Sequence, residues 1–228
     1  QIVCETTGLP ASVVVWDAPD TSIAPNSGNT TASRQTLFTG EATRRCAVEL
    51  KKALHGRDLT AVEGVNFQQE YAGITDKLGA DLPHPVSHIA YGYATHLVEL
   101  NDDGTLKRVV AAHDVGRAVN PLNVEGQIEG GVAMSLGYAL TEDFPLENGR
   151  PKAIYATLGL MRSNQVPEII TKIVGKSHSE LACGAKGIGE ICSIPTPPAV
   201  QLAYYNYDKN FQTALPLEGT PYSRKKPQ

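Results

Sequence analysis

Cysteine is scarce in this chain of 228 residues: four thiols, Cys4, Cys46, Cys183 and Cys192, with no Cys-x-x-Cys pair and no metal-type spacing. That excludes a disulfide framework and a zinc module, and it fits a reducing cytoplasm. Long apolar runs are lacking too. No stretch approaches the ~20 residues that a membrane-spanning helix needs, and the opening residues QIVCETTGLP hold neither a basic n-region nor an apolar h-region. The expected location is therefore the cytoplasm, with no membrane partner. An excess of positive charge is missing as well: the net charge is -4, so no basic face for nucleic acid is expected. The one basic run, Arg224-Lys225-Lys226, reads as a solvated terminus. The opening also lacks a methionine and reads as the end of a helix closed by Gly8 and Pro10, so a piece of a longer protein is expected.

What the chain does have is concentrated between Cys183 and Pro198, CGAKGIGEICSIPTPP. Gly184, Lys186, Gly187, Gly189 and Glu190 fall within seven positions, and Pro195, Pro197 and Pro198 precede an apolar helical run. Glycine lets the backbone approach another group closely and accepts positive φ. Glu190 is the one carboxylate of this turn, between Ile188 and Ile191. Desolvation there would raise its pKa and suit it to general-base work near neutral pH. Spacing alone leaves a second reading open, a first-turn glutamate favoured by the helix dipole.

Taken in order, Ser12 to Trp16 (SVVVW) reads as a buried strand, followed by a turn-rich segment. Ala32, Phe38, Ala42, Cys46, Val48, Leu50 and Leu54 recur at roughly helical spacing and predict a helix from about Thr31 to His55, stopped by Gly56. Its first turn offers free backbone N–H groups, hydroxyls and the Arg34 guanidinium, an anion site or plain capping by Thr30 or Thr31. Arg57 to Leu82 reads only as a loop or weak amphipathic stretch. His88 to Glu99 and Leu106 to Val115, joined through Asp103-Gly104, give a hairpin. His88, His96 and His113 lack ligand spacing and read as sheet-surface or core residues. Asn120-Pro121 starts a helix with Val124, Ile128, Val132 and Leu136 on its apolar face, and Gly126, Gly130 and Gly131 permit close packing around Gln127. Glu142 to Met161 reads as loop with short extended pieces, Glu168 to Val174 as a strand, and Ala199 to Tyr207 as a helix.

Three stretches carry a family resemblance: NTTASRQTLFTG (Asn29 to Gly40), DVGRAVNPLNVEGQIEGGVAMSLGYAL (Asp114 to Leu140) and GAKGIGEICSIPTPPAV (from Gly184). In this order they resemble the molybdenum hydroxylases, the family of xanthine dehydrogenase and aldehyde oxidase. The closing LAYYNYDKNFQTALPLEGTPYSRKK is similar to the selenium-dependent xanthine dehydrogenase or purine hydroxylase branch. The resemblance implies an α+β fold with helices packed on mixed or antiparallel strands. It implies a two-lobed C-terminal cofactor-binding domain over residues 1–228, with approximate lobes 1–115 and 116–228. It implies a molybdenum–molybdopterin cofactor, plain or as the cytosine dinucleotide, with Glu190 as the base. Ala32, Ser33, Arg34 and Gln35 match the loop that holds the pterin and its phosphate, Gln127 the glutamine near the metal's ligand sphere, and Gly189 the glycine before the base. The implied chemistry is hydroxylation of a purine, a related N-heterocycle or an aldehyde with water-derived oxygen.

Departures bound this reading. The family's glycine-flanked glutamine loop is absent, as are the arginine and phenylalanine that sandwich a purine and any iron–sulfur or flavin pattern. The expected partners are therefore the remainder of the molybdenum subunit and iron–sulfur and FAD domains or subunits, and the chain alone is expected not to turn over. Two rivals stand beside this: a thiol enzyme using Cys183 or Cys192 near a helix N-terminus, and a non-catalytic nucleotide-binding scaffold, whose Walker or dinucleotide spacing is lacking.

Overall fold

Left-handed backbone at Gly8, His55 and Lys209 closes three of the four α-helices among the described residues, whereas a side-chain cap opens the third. The computed structural model describes residues 1–17, 20–154, 156–177 and 179–223, and the Arg224-Lys225-Lys226 run lies outside them. The described residues fold as two units interleaved along the chain: Gln1–Gly92, Val115–Val119 and Gly175–Gly187 form one, and Tyr93–Asp114, Asn120–Val174 and the described part of Ile188–Gln228 form the other.

In the first unit, α1 (Ile2–Thr7) closes on Gly8 at φ 83°, whose N–H donates to the Cys4 carbonyl. Ser12 to Trp16 is not a strand. Ala11–Val13 makes one 3-10 turn, and Val13, Val15 and Trp16 are 45%, 87% and 76% exposed. β-branched residues favour strands only where a pleated partner surface exists, and no strand of the described residues pairs with them. The long helix, α2 (Gln35–Leu54), starts four residues after Thr31 because Ala32 and Ser33 sit at φ 51° and 53°. It ends as expected, at His55 and Gly56 with φ 45° and 79°. Its Leu37 packs with Ala182 and Ala185 in a small apolar cluster bordered by Phe38 and Ile89. Between Arg57 and Leu82 the one helical element is the 3-10 turn Leu59–Val62.

The second unit is built on the expected hairpin. β1 (Ala94–Leu100) and β2 (Leu106–Asp114) pair antiparallel, with Gly104 at φ 79° in the connection. α3 (Pro121–Leu140) begins where Asn120-Pro121 predicts: the Asn120 side chain accepts the Asn123 N–H, and Pro121 needs no amide partner at the first position. Short β3 (Leu146–Glu147) and β4 (Arg150–Pro151) pair with each other. β5 (Glu168–Val174) lies parallel to β2, giving the order β1-β2-β5. α4 (Thr196–Asp208) begins three residues earlier than Ala199. Val109, Ala111, Ile128, Val132, Leu136, Cys192, Val200 and Tyr204 fill the core between sheet and helices. The mixed sheet with helices on it is the α+β class read from the sequence.

Candidate cofactor site

In the first unit, α2 emerges from the loop Asn29 to Arg34. No side chain caps this helix, so its leading N–H groups face outward and favour an anion. Capping by Thr30 or Thr31 is thereby replaced by a different arrangement: the Thr30 hydroxyl donates to Gln35 Oε1 at 2.8 Å, and Gln35 Nε2 donates to Thr39 Oγ1 at 2.8 Å. Arg34 Nη2 donates to the Asn29 carbonyl, and its guanidinium lies 5.6 Å from the Phe38 ring centroid. Ala32 and Gln35 are exposed, Ser33 and Arg34 half-buried.

This loop and the glycine-rich turn meet in one place. A Cβ on Gly187 would stand 2.2 Å from the Ser33 carbonyl oxygen, so only glycine allows the contact. The third matched stretch joins through backbone bonds: Lys186 N–H donates to Val115 O at 3.0 Å and Arg117 N–H to Gly184 O at 2.9 Å. Pieces of all three family-like segments thus converge inside one unit. A cavity of about 400 Å³ beside them is lined by Cys4, Glu5, Arg117 and Cys183, among others.

Holding the turn is a residue that the sequence pattern alone does not single out. Glu41 on α2 is 1% exposed. It accepts Arg44 Nε at 2.7 Å, Arg45 Nε at 3.0 Å and the Ala182 N–H at 3.0 Å. Burial alone would raise its pKa, but the hydrogen bonds from Arg44, Ala182 and Arg45, with the Arg44 charge, outweigh burial and hold the carboxyl at about 2. The ionised carboxylate thereby secures Ala182 and Cys183, both left-handed at φ 49° and 57°. The signal that could have found it is Glu41 followed at i+3 and i+4 by Arg44 and Arg45.

In the second unit, Gly189 and Glu190 form an exposed turn leading into the 3-10 turn Ile191–Ser193. Glu190, expected to lie shielded between apolar neighbours, is exposed, while Ile188 and Cys192 take inward positions. The Glu190 carbonyl accepts both the Ser193 amide and its hydroxyl. Cys192 is wedged against α3: a Cβ on Gly131 would lie 2.4 Å from the Cys192 Cβ. Gln127, exposed on α3, is one helical turn before Gly131 and so on the same face. The Gly131–Cys192 contact therefore sets the glutamine-bearing and glutamate-bearing segments against each other. Gly126 and Gly130, expected to pack closely, instead face open space.

The thiol rival loses its premise here. Burial pushes the Cys192 thiol up to about 11, and Cys192 Sγ donates to the Ile188 carbonyl at 2.7 Å, so no helix N-terminus activates it. His88 is exposed outside the strands, whereas His96 and His113 are bonded to each other, Nε2 to Nε2 at 2.7 Å. Spacing tests for metal ligands could not find that pair, but the hairpin register could.

Comparison with known proteins adds the decisive observation: residues 1–77 and 57–167 match the molybdopterin cofactor-binding domain family. The chain belongs to that family. It is 29% identical to a probable xanthine dehydrogenase subunit of Bacillus subtilis, over 95% of this chain and 34% of that protein. It is 26% identical to the xanthine dehydrogenase molybdenum-binding subunit of Escherichia coli O157:H7, over 89% of this chain and 32% of the relative. The chain therefore spans about a third of the length of these curated relatives. The crystal structure of the aldehyde oxidoreductase from Desulfovibrio desulfuricans has the same fold, with a TM-score of 0.72 over 90% of this chain and 24% of that one, at 24% identity. No helix among the described residues is long and apolar enough to cross a membrane.

The start of α2 suits a phosphate: no side chain caps its leading N–H groups, and Arg34 in the N-cap position carries guanidinium N–H groups besides the one that donates to Asn29.

Proposed function

We propose that this chain is the cofactor-binding part of a molybdenum hydroxylase, in the xanthine dehydrogenase and aldehyde oxidase class, with Glu190 as general base. The observation that carries the cofactor-binding reading is the convergence, inside one unit, of pieces of the three segments that resemble the family, joined at Ser33–Gly187 and Val115–Lys186, while Glu190, Gly189 and Gln127 of the other unit enter by family likeness. Ala32, Ser33, Arg34 and Gln35 would hold the pterin phosphate at the start of α2. Gln127 would offer its amide donor and acceptor toward the metal's ligands, and Gly189 would leave room beside Glu190. When bound, the cofactor supplies a metal centre that activates water-derived oxygen and takes up two electrons from the substrate. The protein's own step is the transfer of a proton from that water-derived oxygen to a Glu190 carboxylate oxygen, help worth about 10²–10⁴ in rate. The exposure of Glu190 in this chain lets it reach a group bound outside the chain's own core.

Substrates in this reading are electron-poor carbons of purines or related N-heterocycles, or aldehydes. The partners are the rest of the molybdenum subunit together with iron–sulfur and FAD domains or subunits, and the site is a cytoplasmic one. Because the glycine-flanked glutamine loop and the arginine and phenylalanine of a purine sandwich are lacking from this sequence, the chain should not turn over alone, and xanthine hydroxylation by the purified chain would refute that. The test of the base is Glu190→Ala in the complete subunit. Molybdenum content should hold while kcat falls at least about a hundredfold, and activity within a few-fold of the parent would remove Glu190 from the role.

A further inference from the structure

His113 on β2 is fully buried, and its Nδ1 has no hydrogen-bond partner. Its Nε2 meets His96 Nε2 at 2.7 Å, and His96 Nδ1 meets Thr196 Oγ1 at 2.9 Å. Thr196, itself fully buried, is the first residue of α4 and lies six positions after Glu190. The pairing follows from register: Ala94 faces His113 and His96 faces Ala111, so the two histidines are diagonal neighbours on one side of the hairpin. Two nitrogens this close need one hydrogen between them, so one Nε2 donates and the other must be bare. Either assignment leaves a usable Nδ1 for the Thr196 hydroxyl.

The surroundings keep this arrangement neutral. Glu99, Arg108, Asp114, Glu168 and Lys172 project from the opposite side of the sheet, as the strand register requires, and Lys107 pairs with Glu99. Cys192, Tyr204 and Tyr222 belong to the apolar core on the histidine side, and burial pushes both the Cys192 thiol and the Tyr204 hydroxyl up. Burial and the neighbouring His113 push His96 down to about 4, and burial lowers His113.

We propose that His113, His96 and Thr196 form a positioning chain for Glu190, tying the start of α4 to the central strand of the sheet. This rests on the reading of Glu190 as the base. The seven-residue stretch from Glu190 to Thr196 is then fixed at two points, Cys192 against Gly131 and Thr196 against His96. Loss of the second point frees the segment on one side while the cofactor loop in the first unit keeps its own contacts.

The test uses the complete, molybdenum-loaded subunit with Thr196→Val, which keeps shape and loses the hydroxyl, and Thr196→Ser, which keeps the hydroxyl. Molybdenum content, kcat, KM and amide exchange of the peptide over residues 188–199 are measured for each. The valine variant should retain molybdenum, lose about tenfold or more in kcat with KM within about twofold, and exchange faster in that peptide. The serine variant should restore both kcat and protection. A valine variant with unchanged kcat, whether or not its exchange rises, overturns the proposal, as does failure of serine to rescue. Should Thr196→Val not load molybdenum, His96→Gln carries the same expectations, since its amide replaces Nε2 and keeps His113 while releasing Thr196. Glu190→Ala in the same assay separates the two ideas. Full activity of that variant sinks the base assignment, whereas the exchange data read the tether independently of it.

Discussion

Ala182 in the first unit and Thr196 in the second are both fully buried, and each is held by a side chain distant in sequence. Ala182 donates its amide to an ionised carboxylate, Glu41, flanked by two guanidinium groups. Thr196 bonds a neutral imidazole that is itself paired with another. The difference follows from what each unit can bury. Among the described residues the first has a smaller buried cluster, Leu37, Ala182 and Ala185 with partly buried neighbours such as Phe38 and Ile89, and charge-assisted hydrogen bonds add to its packing. The second has a continuous apolar core, where an ion would be costly and an uncharged relay fits.

Removing the charged anchor should break the comparison most sharply. Glu41→Ala leaves Ala182 N–H without an acceptor and Arg44 and Arg45 without their shared partner. We expect a loss of about 3–5 kcal/mol, confined to the first unit, measured by chemical denaturation with amide exchange to locate it. Equal loosening of both units would contradict the division.

A smaller effect should come from the packing side. Gly131→Ala drives a methyl group into Cys192 and should cost about 1–3 kcal/mol in the second unit. Gly130→Ala one residue away meets open space and should stabilise by about 0.5–1 kcal/mol. If the two alanines behave alike, the Gly131–Cys192 contact is not as tight as described.

Acid should separate the units by pH window. The folded pKa of His96 is depressed from 6.5 to about 4, so the unfolded chain takes up the proton first. The second unit is then fully stable above about 6.5 and loses roughly 1–3 kcal/mol as the pH falls to about 4. Glu41 is depressed from 4.5 to about 2, so its contribution is complete above 4.5 and lost only as the pH drops toward 2. Between pH 6.5 and 4.5, exchange should therefore rise in the second unit alone. Smallest of all is Glu99→Gln, which dissolves the exposed pairs with Lys107 and Arg108 and should leave the denaturation midpoint unchanged.

Much of the second unit is legible in the sequence because its signals are local: Asn120-Pro121 opens α3, Asp103-Gly104 turns the hairpin, and Val124 to Leu136 mark a helical face. The first unit hides more. Ala32 and Ser33 adopt a backbone normally announced by glycine, so helical spacing places the start of α2 four residues early. Val13 to Trp16 has strand composition, but no strand among the described residues pairs with it. The candidate site residues Glu190, Gln127 and Ala32 to Gln35 stand out by family likeness, whereas their surroundings come only from the fold. Ile188 and Cys192 turn inward and expose Glu190, an alternation that composition cannot give. His96 and His113 read individually as sheet or core residues, and their bond becomes visible only once the hairpin register is known.

Two consecutive left-handed residues that carry side chains, Ala32 and Ser33, have a mechanical consequence for the loop that leads into α2. Each costs about 1–2 kcal/mol relative to a relaxed backbone, and a glycine in either place would relieve that cost and multiply the shapes the unfolded loop can sample. The loop is thus stiff before any ligand arrives, which lowers the ordering entropy lost on binding. If this loop holds the cofactor as proposed, softening it should slow capture and leave the captured complex nearly as long-lived.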